Sequence, residues 1–277
     1  MVLIVQPLGR FGNNVIQLIH AIHIAETFHI PAVRFRFGGF QTNEIRIHDL
    51  RIRANRNHPL RRQRIVHNFF YEHQNLAIFP GLSNLSPHDR LRIAQQYLKP
   101  ILSCSSELPF LPDFETTLFV HIRSGDLFRN HSPHSSYIQP PLDYYTYIFS
   151  RECDKNVVVL YEDDGNPVVN ALKVSNPTYA FYSLPIEETF YIFLHAKYIV
   201  MGYGTFVPGI LCMNDSYHTL YCPGNFQAGV PNCISVPLPD YIQKWENTEE
   251  QRSFMLTYNG ITKHFHFLPD RPADKHF

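Results

Sequence analysis

The period of the apolar positions changes along the chain, and each change marks an element. Leu3, Ile4 and Val5 form a short apolar run, residues 9–14 carry Gly9, Gly12, Asn13 and Asn14, and over residues 15–28 Ile16, Ile19, Ile22 and Phe28 supply part of an apolar helical stripe. Strand, glycine turn and helix are the resulting expectation. Residues 31–37 alternate apolar and polar like a half-buried strand, and residues 65–71 supply another. Ser86 followed by Pro87 reads as an N-cap with proline at the first helical position, opening a helix that runs towards Leu102. Residues 104–113, with Pro109 and Pro112, read as a linker. Beyond it follow a strand at 118–122, a helix at 142–153, a strand at 157–161, helices at 167–174 and 186–196, a strand at 198–201 and a helix beginning near Pro208. Continuous apolar strands alternating with helices predict a parallel sheet with helices on both faces. The stretch 239–277 is mixed, and 241–245 suggests a helix packing back across the halves.

The fold class is therefore α/β, in two halves: 1–112, 113–238 and a closing segment 239–277. A chain of 277 residues is near the ~250–300 at which single cores stop growing. With 44% hydrophobic residues, 22 Phe and 16 Tyr, it belongs among globular proteins. Lys plus Arg and Asp plus Glu both number 24, so no overall field recruits nucleic acid or an anionic membrane. The basic run from Arg46 to Arg64 is read as a solvated face, and His20 and His23 as packing or surface residues. The amino terminus has neither the basic start nor the long apolar stretch of a secretory signal, and no window approaches the ~20 apolar residues of a membrane helix, so a soluble cytoplasmic protein without membrane insertion is expected. The five cysteines include no CxxC pair, which argues against a zinc site and for free thiols in a reducing compartment.

Chemistry concentrates after three strands. Val120-His121-Ile122-Arg123-Ser124-Gly125-Asp126-Leu127 places an imidazole, a guanidinium and a carboxylate where an apolar run ends. An arginine fork at the carboxyl end of a parallel strand suits phosphate oxygens, as in a nucleoside diphosphate; the plain alternative is a core histidine beside a local Arg123–Asp126 pair. Leu8-Gly9-Arg10-Phe11-Gly12-Asn13-Asn14 stands between the first strand and its helix, where backbone amides meet a ligand. Tyr161-Glu162-Asp163-Asp164-Gly165 ends another strand, its acids able to take a base edge, a ribose hydroxyl or a divalent metal. Gly202-Tyr203-Gly204-Thr205-Phe206 ends a third, with small residues and a hydroxyl at a helix start. These strand ends converge on one crevice.

The order of these segments resembles the GT-B fucosyltransferase-like glycosyltransferases, the group that holds the α1,2-, α1,6- and protein O-fucosyltransferases. Gly9-Arg10-Phe11-Gly12-Asn13 is similar to their amino-terminal Gly-Arg-Phe-Gly-Asn, His121-Ile122-Arg123-Ser124-Gly125-Asp126 to their His-x-Arg-Arg-x-Asp, Tyr161-Glu162-Asp163-Asp164 to Ser-Asp-Asp, and Gly204-Thr205-Phe206 to Ser-x-Phe. Residues 137–145 resemble the Gln-Pro-Pro-Leu-x-Tyr-Tyr of some members. The resemblance implies two Rossmann-like halves with the active site in the cleft between them, 1–112 on the acceptor side and 113–238 binding the nucleotide sugar. It implies that Arg123 binds the β-phosphate, that His121, Asp163 or Asp164 meet base or ribose, that Thr205 and Phe206 close around the phosphates, and that Asn13 orients the donor or the incoming hydroxyl. Gly12, Asp126 and Gly204 complete the implied donor site. Ser124 replaces the second arginine of the signature, so both GDP-fucose and a UDP-sugar such as UDP-xylose stay open as donors, with a hydroxyl of a glycan or glycoprotein as acceptor.

Direct inverting attack benefits from a base, and Glu72, after Phe69-Phe70-Tyr71, is the nominated carboxylate, with Asp49 and Asp126 as rivals. No metal or resident cofactor is expected. Two other readings compete: a nucleotide-sugar or carbohydrate-binding protein without turnover, and a metal-dependent transferase or phosphohydrolase using Glu162, Asp163 and Asp164.

Overall fold

Two sheets organise the chain in a computed structural model that describes residues 2–35, 44–47, 66–67, 72–102, 113–129, 137, 139–224, 232–240 and 244–265. The first contains β1 (Val2–Val5), β2 (Ala32–Arg34), β3 (Glu44–Arg46) and β4 (Val66–His67) in the order β3-β2-β1-β4. β1 runs parallel to β2 and β4, and β3 is antiparallel to β2. The crossover from β1 to β2 is α1 (Phe11–Thr27). α2 (Glu72–Ile78) and α3 (Pro87–Ile93) follow, and α3 continues through a π-helical turn, Ala94–Leu98, into α4 (Lys99–Leu102). Ser86 caps α3 as expected, its hydroxyl accepting from the Asp89 amide at 3.0 Å.

The second half runs β5 (Thr117–Ile122), α5 (Asp126–Arg129), α6 (Leu142–Arg151), β6 (Asn156–Tyr161), α7 (Pro167–Ser175), β7 (Ala180–Tyr182), α8 (Ile186–His195), β8 (Tyr198–Met201), α9 (Phe206–Leu211), β9 (Thr219–Pro223) and β10 (Cys233–Val236). Its strands are all parallel and lie in the order β7-β6-β5-β8-β9-β10. This is the doubly wound Rossmann order, and the direction of winding reverses between β5 and β8. The α/β class and the parallel sheet agree with expectation. β7, β9 and β10 were not expected; β7 and β10 are short and lack a buried apolar run, and β9 ends on Pro223 and Gly224.

Alternate residues of β5 enter different cores. Leu118, Val120 and Ile122 pack outward with Tyr144, Val168 and Trp245. Phe119 packs inward, in a cluster that also holds Leu3, Val5, Leu18, Ile22, Ile199 and Ile210. That inner cluster is continuous through both sheets, so the halves share a core.

Other expectations are corrected. α1 begins at Phe11 and not near Val15, because Arg10 takes extended dihedrals as its N-cap and Gly12 and Asn13 fall in its first turn. The described part of the closing segment packs on the second half: α10 (Glu249–Thr257) lies against α6 and α7, α11 (Gly260–Phe265) against α6, and Trp245 fills the outer core. Asp143 holds α11 in place by accepting from the Ile261 and Thr262 amides at 2.7 and 3.1 Å. Lys244 and Trp245 are not helical, and 241–243 lie outside the described residues. Cys222 and Cys233 form a disulfide between β9 and β10, with a Cα–Cα distance of 6.6 Å, against the expectation of free thiols throughout. Cys153 and Cys212 are free, and Cys104 lies outside the described residues. Also outside are Asp49, the linker up to residue 112, most of the basic run and residues 68–71 of the expected strand. Among the described residues no helix is long and apolar enough to cross a membrane.

Candidate functional site

Arg123 leaves the carboxyl end of β5 beside the point where the winding reverses. The Asn166 side chain fixes its backbone, donating to the Arg123 carbonyl at 2.9 Å while its oxygen caps α7 through the Val168 amide at 3.0 Å. Gly202, at the end of β8, donates to the His121 carbonyl at 2.8 Å and keeps the two strand ends together. The Arg123 side chain is 12% exposed, and its Nη2 stands 3.6 Å from Asp126, beyond a normal hydrogen bond. Among the described residues its buried Nε finds no hydrogen-bond partner. Tyr137 covers one approach to the guanidinium, with Cζ 4.4 Å from the ring centroid. Gly204 lies close as well: at φ 140° it adopts a backbone that side chains rarely take, and an added Cβ would stand 3.0 Å from Arg123 Nη1.

His121 points into the inner core. Its ring stacks on Phe206 at 5.2 Å and meets Phe193 edge-on at 5.9 Å. Burial, reinforced by the charges of Arg123 and Arg10, holds the imidazole down at about 3, so it is neutral. Phe206 also meets Phe11 at 5.8 Å. Both aromatic residues therefore pack together under the ends of β5 and β8.

The amino end of α1 abuts the same strand ends. Asn14 and Gln17, both buried, pin the loop before it: Gln17 Oε1 accepts from the Leu8 amide at 2.9 Å and from Asn14 Nδ2 at 3.2 Å, and Asn14 Nδ2 also reaches the Leu8 carbonyl at 3.0 Å. The Asn13 side-chain oxygen accepts from the Thr205 hydroxyl at 2.6 Å, a direct bond between the halves. Gly12 is a close-approach glycine, since a Cβ there would run into the Thr205 carbonyl and stand 2.6 Å from the Phe206 nitrogen. Arg10, to which the sequence reading attached no role, bridges the halves by pairing with Asp126 at 3.2 Å and with Glu162. Burial pulls its pKa down, but Glu162 and then Asp126 outweigh that and raise it. The cue was its place between Gly9 and Phe11 at the end of β1.

The acids after β6 are dispersed among different partners. Glu162 pairs with Arg10 and accepts from the Ser124 amide at 3.2 Å. Asp163 accepts from Ser124 Oγ at 2.5 Å, from the Gly165 amide at 2.9 Å and from Arg129 at 2.5 Å. Burial alone would raise its pKa, yet these donors and the arginine lower it. Asp164, largely exposed, pairs with Lys173 at 2.7 Å. Among the described residues no three His, Cys, Asp or Glu side chains converge as a metal site. Ser124 is wholly buried and ties β5 to β6 through Asp163. Glu72 begins α2 instead of ending a strand, and its carboxylate accepts from the Leu85 amide at 2.5 Å, joining α2 to the loop before α3.

No family model matches the chain, and no curated protein matches it. Among solved structures it is similar to the E. coli heptosyltransferase WaaC with ADP-2-deoxy-2-fluoro heptose, at 11% identity and a TM-score of 0.46, covering 90% of this chain and 98% of that one. It is likewise similar to E. coli heptosyltransferase WaaC with ADP, at 12% identity and a TM-score of 0.44, covering 90% and 95% of the two chains.

Proposed function

We propose that the protein is a GT-B-like glycosyltransferase that moves a sugar from a nucleoside diphosphate sugar to a hydroxyl of a glycan or glycoprotein, with inversion and without a metal ion. The observation that carries this reading is Arg123: a permanent cation, largely buried at the switch point of a Rossmann-ordered sheet, with the nearest carboxylate among the described residues, Asp126, 3.6 Å away. Ligands of such sheets sit in that crevice, and a diphosphate supplies the close oxygen partners that Asp126 does not. The neutral His121 beneath it adds no competing charge, and the exposed guanidinium of Arg10 brings a second cation from the other half.

As the glycosidic bond to the diphosphate breaks, positive charge spreads over the sugar and negative charge grows on the bridging oxygen. A guanidinium already placed there stabilises the transition state more than the bound donor, on a scale of about 1.5–3 kcal/mol for one charge-assisted bond. The helix dipole of α1, whose amino end reaches the same junction, acts in the same direction. Glu162, Asp163 and Asp164 answer to Arg10, Arg129 and Lys173, which favours charge neutralisation by arginine over a metal-bridged diphosphate. GDP-fucose and UDP-xylose are the first donors to test.

The test is a thermal-shift screen of nucleotide sugars, followed by assays of sugar transfer and donor hydrolysis. A cognate donor raises the melting point with concentration and releases its nucleotide. Arg123→Ala is expected to keep the fold and lose transfer; a folded Arg123→Ala protein with wild-type transfer refutes the reading. Donor binding with neither transfer nor hydrolysis would instead mark a binding protein.

A further inference from the structure

The surroundings of Arg123 carry a consequence that rests on its reading as the diphosphate ligand. We infer that Tyr137 is a positioning residue, whose ring holds the guanidinium against Gly204 and so presents its Nη edge to a diphosphate. The ring centroid is 4.4 Å from Cζ, within cation–π range, and on the other side the guanidinium lies where any Cβ at Gly204 would crowd it, 3.0 Å from Nη1. An arginine whose Nε has no partner among the described residues and whose carboxylate neighbour is 3.6 Å away is not oriented by hydrogen bonds. Packing by Tyr137 supplies the orientation.

Tyr137 is itself anchored by the closing segment. Its carbonyl accepts from the Trp245 amide at 3.0 Å, and the indole of Trp245, fully buried, donates to the Leu127 carbonyl at 3.0 Å. Asn247 and Arg252 donate to the Phe128 carbonyl at 3.3 and 2.8 Å. Residues 245–252 thus seat both neighbours of Arg123: the Tyr137 ring and α5, which carries Asp126.

The experiment is calorimetric titration of the full chain with pyrophosphate, UDP and GDP. Tyr137→Leu is expected to weaken the diphosphate that binds by about 5- to 30-fold, the scale of a desolvated cation–π contact. Tyr137→Phe, which keeps the ring, rescues binding to within about 2-fold. In an Arg123→Ala background Tyr137→Leu causes no further loss, since its effect acts through the guanidinium. Should Tyr137→Leu fail to fold, Tyr137→Gln makes the same comparison without the ring. If no diphosphate binds wild type, or if Arg123→Ala binds as wild type does, the diphosphate reading falls and this inference with it. If Arg123→Ala loses binding while the folded ring-less variant keeps it, or if the loss persists without Arg123, the positioning role alone is overturned.

Discussion

Acid should weaken this fold through His121. Between its native value of about 3 and the ~6.5 of an unfolded imidazole, the unfolded chain binds a proton that the native protein refuses. Stability therefore rises with pH across that window: it is complete above ~6.5 and drains away as pH falls towards the native value. Each unit below ~6.5 costs about 1.4 kcal/mol, so at about pH 5 the loss from this group is about 2 kcal/mol relative to about pH 7.5. The ring's stacking on Phe206 and its edge contact with Phe193 leave little water to relieve the penalty. Urea unfolding of wild type and His121→Phe at the two pH values isolates the effect, because every other titrating group is common to both. Wild type should lose about 2 kcal/mol more than the variant. Equal losses would mean that the imidazole protonates in the native state, and the account of a dry, neutral histidine under Arg123 would be wrong.

Three further outcomes follow from side-chain placement. Gly12→Ala drives a methyl into the Thr205 carbonyl and is expected to cost roughly 1–3 kcal/mol, read as a fall in melting temperature; an unchanged melting point would mean that the halves are not in backbone contact there. Glu72→Gln retains an acceptor for the Leu85 amide, so kcat is expected to stay within about 2-fold of wild type, whereas a loss on the order of 10² would restore Glu72 as the general base. Ser124→Arg forces a long cation into a fully buried position and is expected to destabilise by roughly 1–3 kcal/mol, read by urea unfolding; a variant as stable as wild type would show that the position has room for an arginine.

In the second half β5, β6 and β8 were legible because they are continuous apolar runs separated by stretches of helical periodicity, and the cluster at 121–126 follows directly on such a run, whereas the short, half-exposed β7 and β10 carry no such signal. Ser86–Pro87 was equally readable, since capping is a local property. Long-range choices were not. Gly12 reads as a turn residue in isolation, and only the Thr205 backbone arriving from the other half shows it to be a close-approach glycine. Asp163 and Asp164 read as ligand acids because sequence gives no sign of Ser124, Arg129 and Lys173 already facing them. Arg10 went unassigned for the converse reason, as its partners lie more than 100 positions away in the chain and meet it only on folding.

The shared inner core constrains how such a site can work. Two domains that meet across a small polar interface can open and close around a ligand, but a large apolar one resists relative motion. Here Phe11 of α1 meets Phe190 at 5.5 Å and Phe206 at 5.8 Å, and Gln95, in the turn between α3 and α4, donates to the Cys212 and Met213 carbonyls at 3.4 and 3.0 Å. Lys99 adds an ion pair to Asp215 at 2.7 Å. Separating the halves would expose that apolar surface and break these bonds together. On the proposed function, adjustment around a diphosphate falls to the exposed side chains Arg10 and Asp126, whose mutual pairing at 3.2 Å is weakened by solvent and can yield to a stronger anion. In the same proposal Arg123 needs no such movement, since the largely buried guanidinium already lies over the Tyr137 ring, and preorganisation of that kind is what would make a single guanidinium effective.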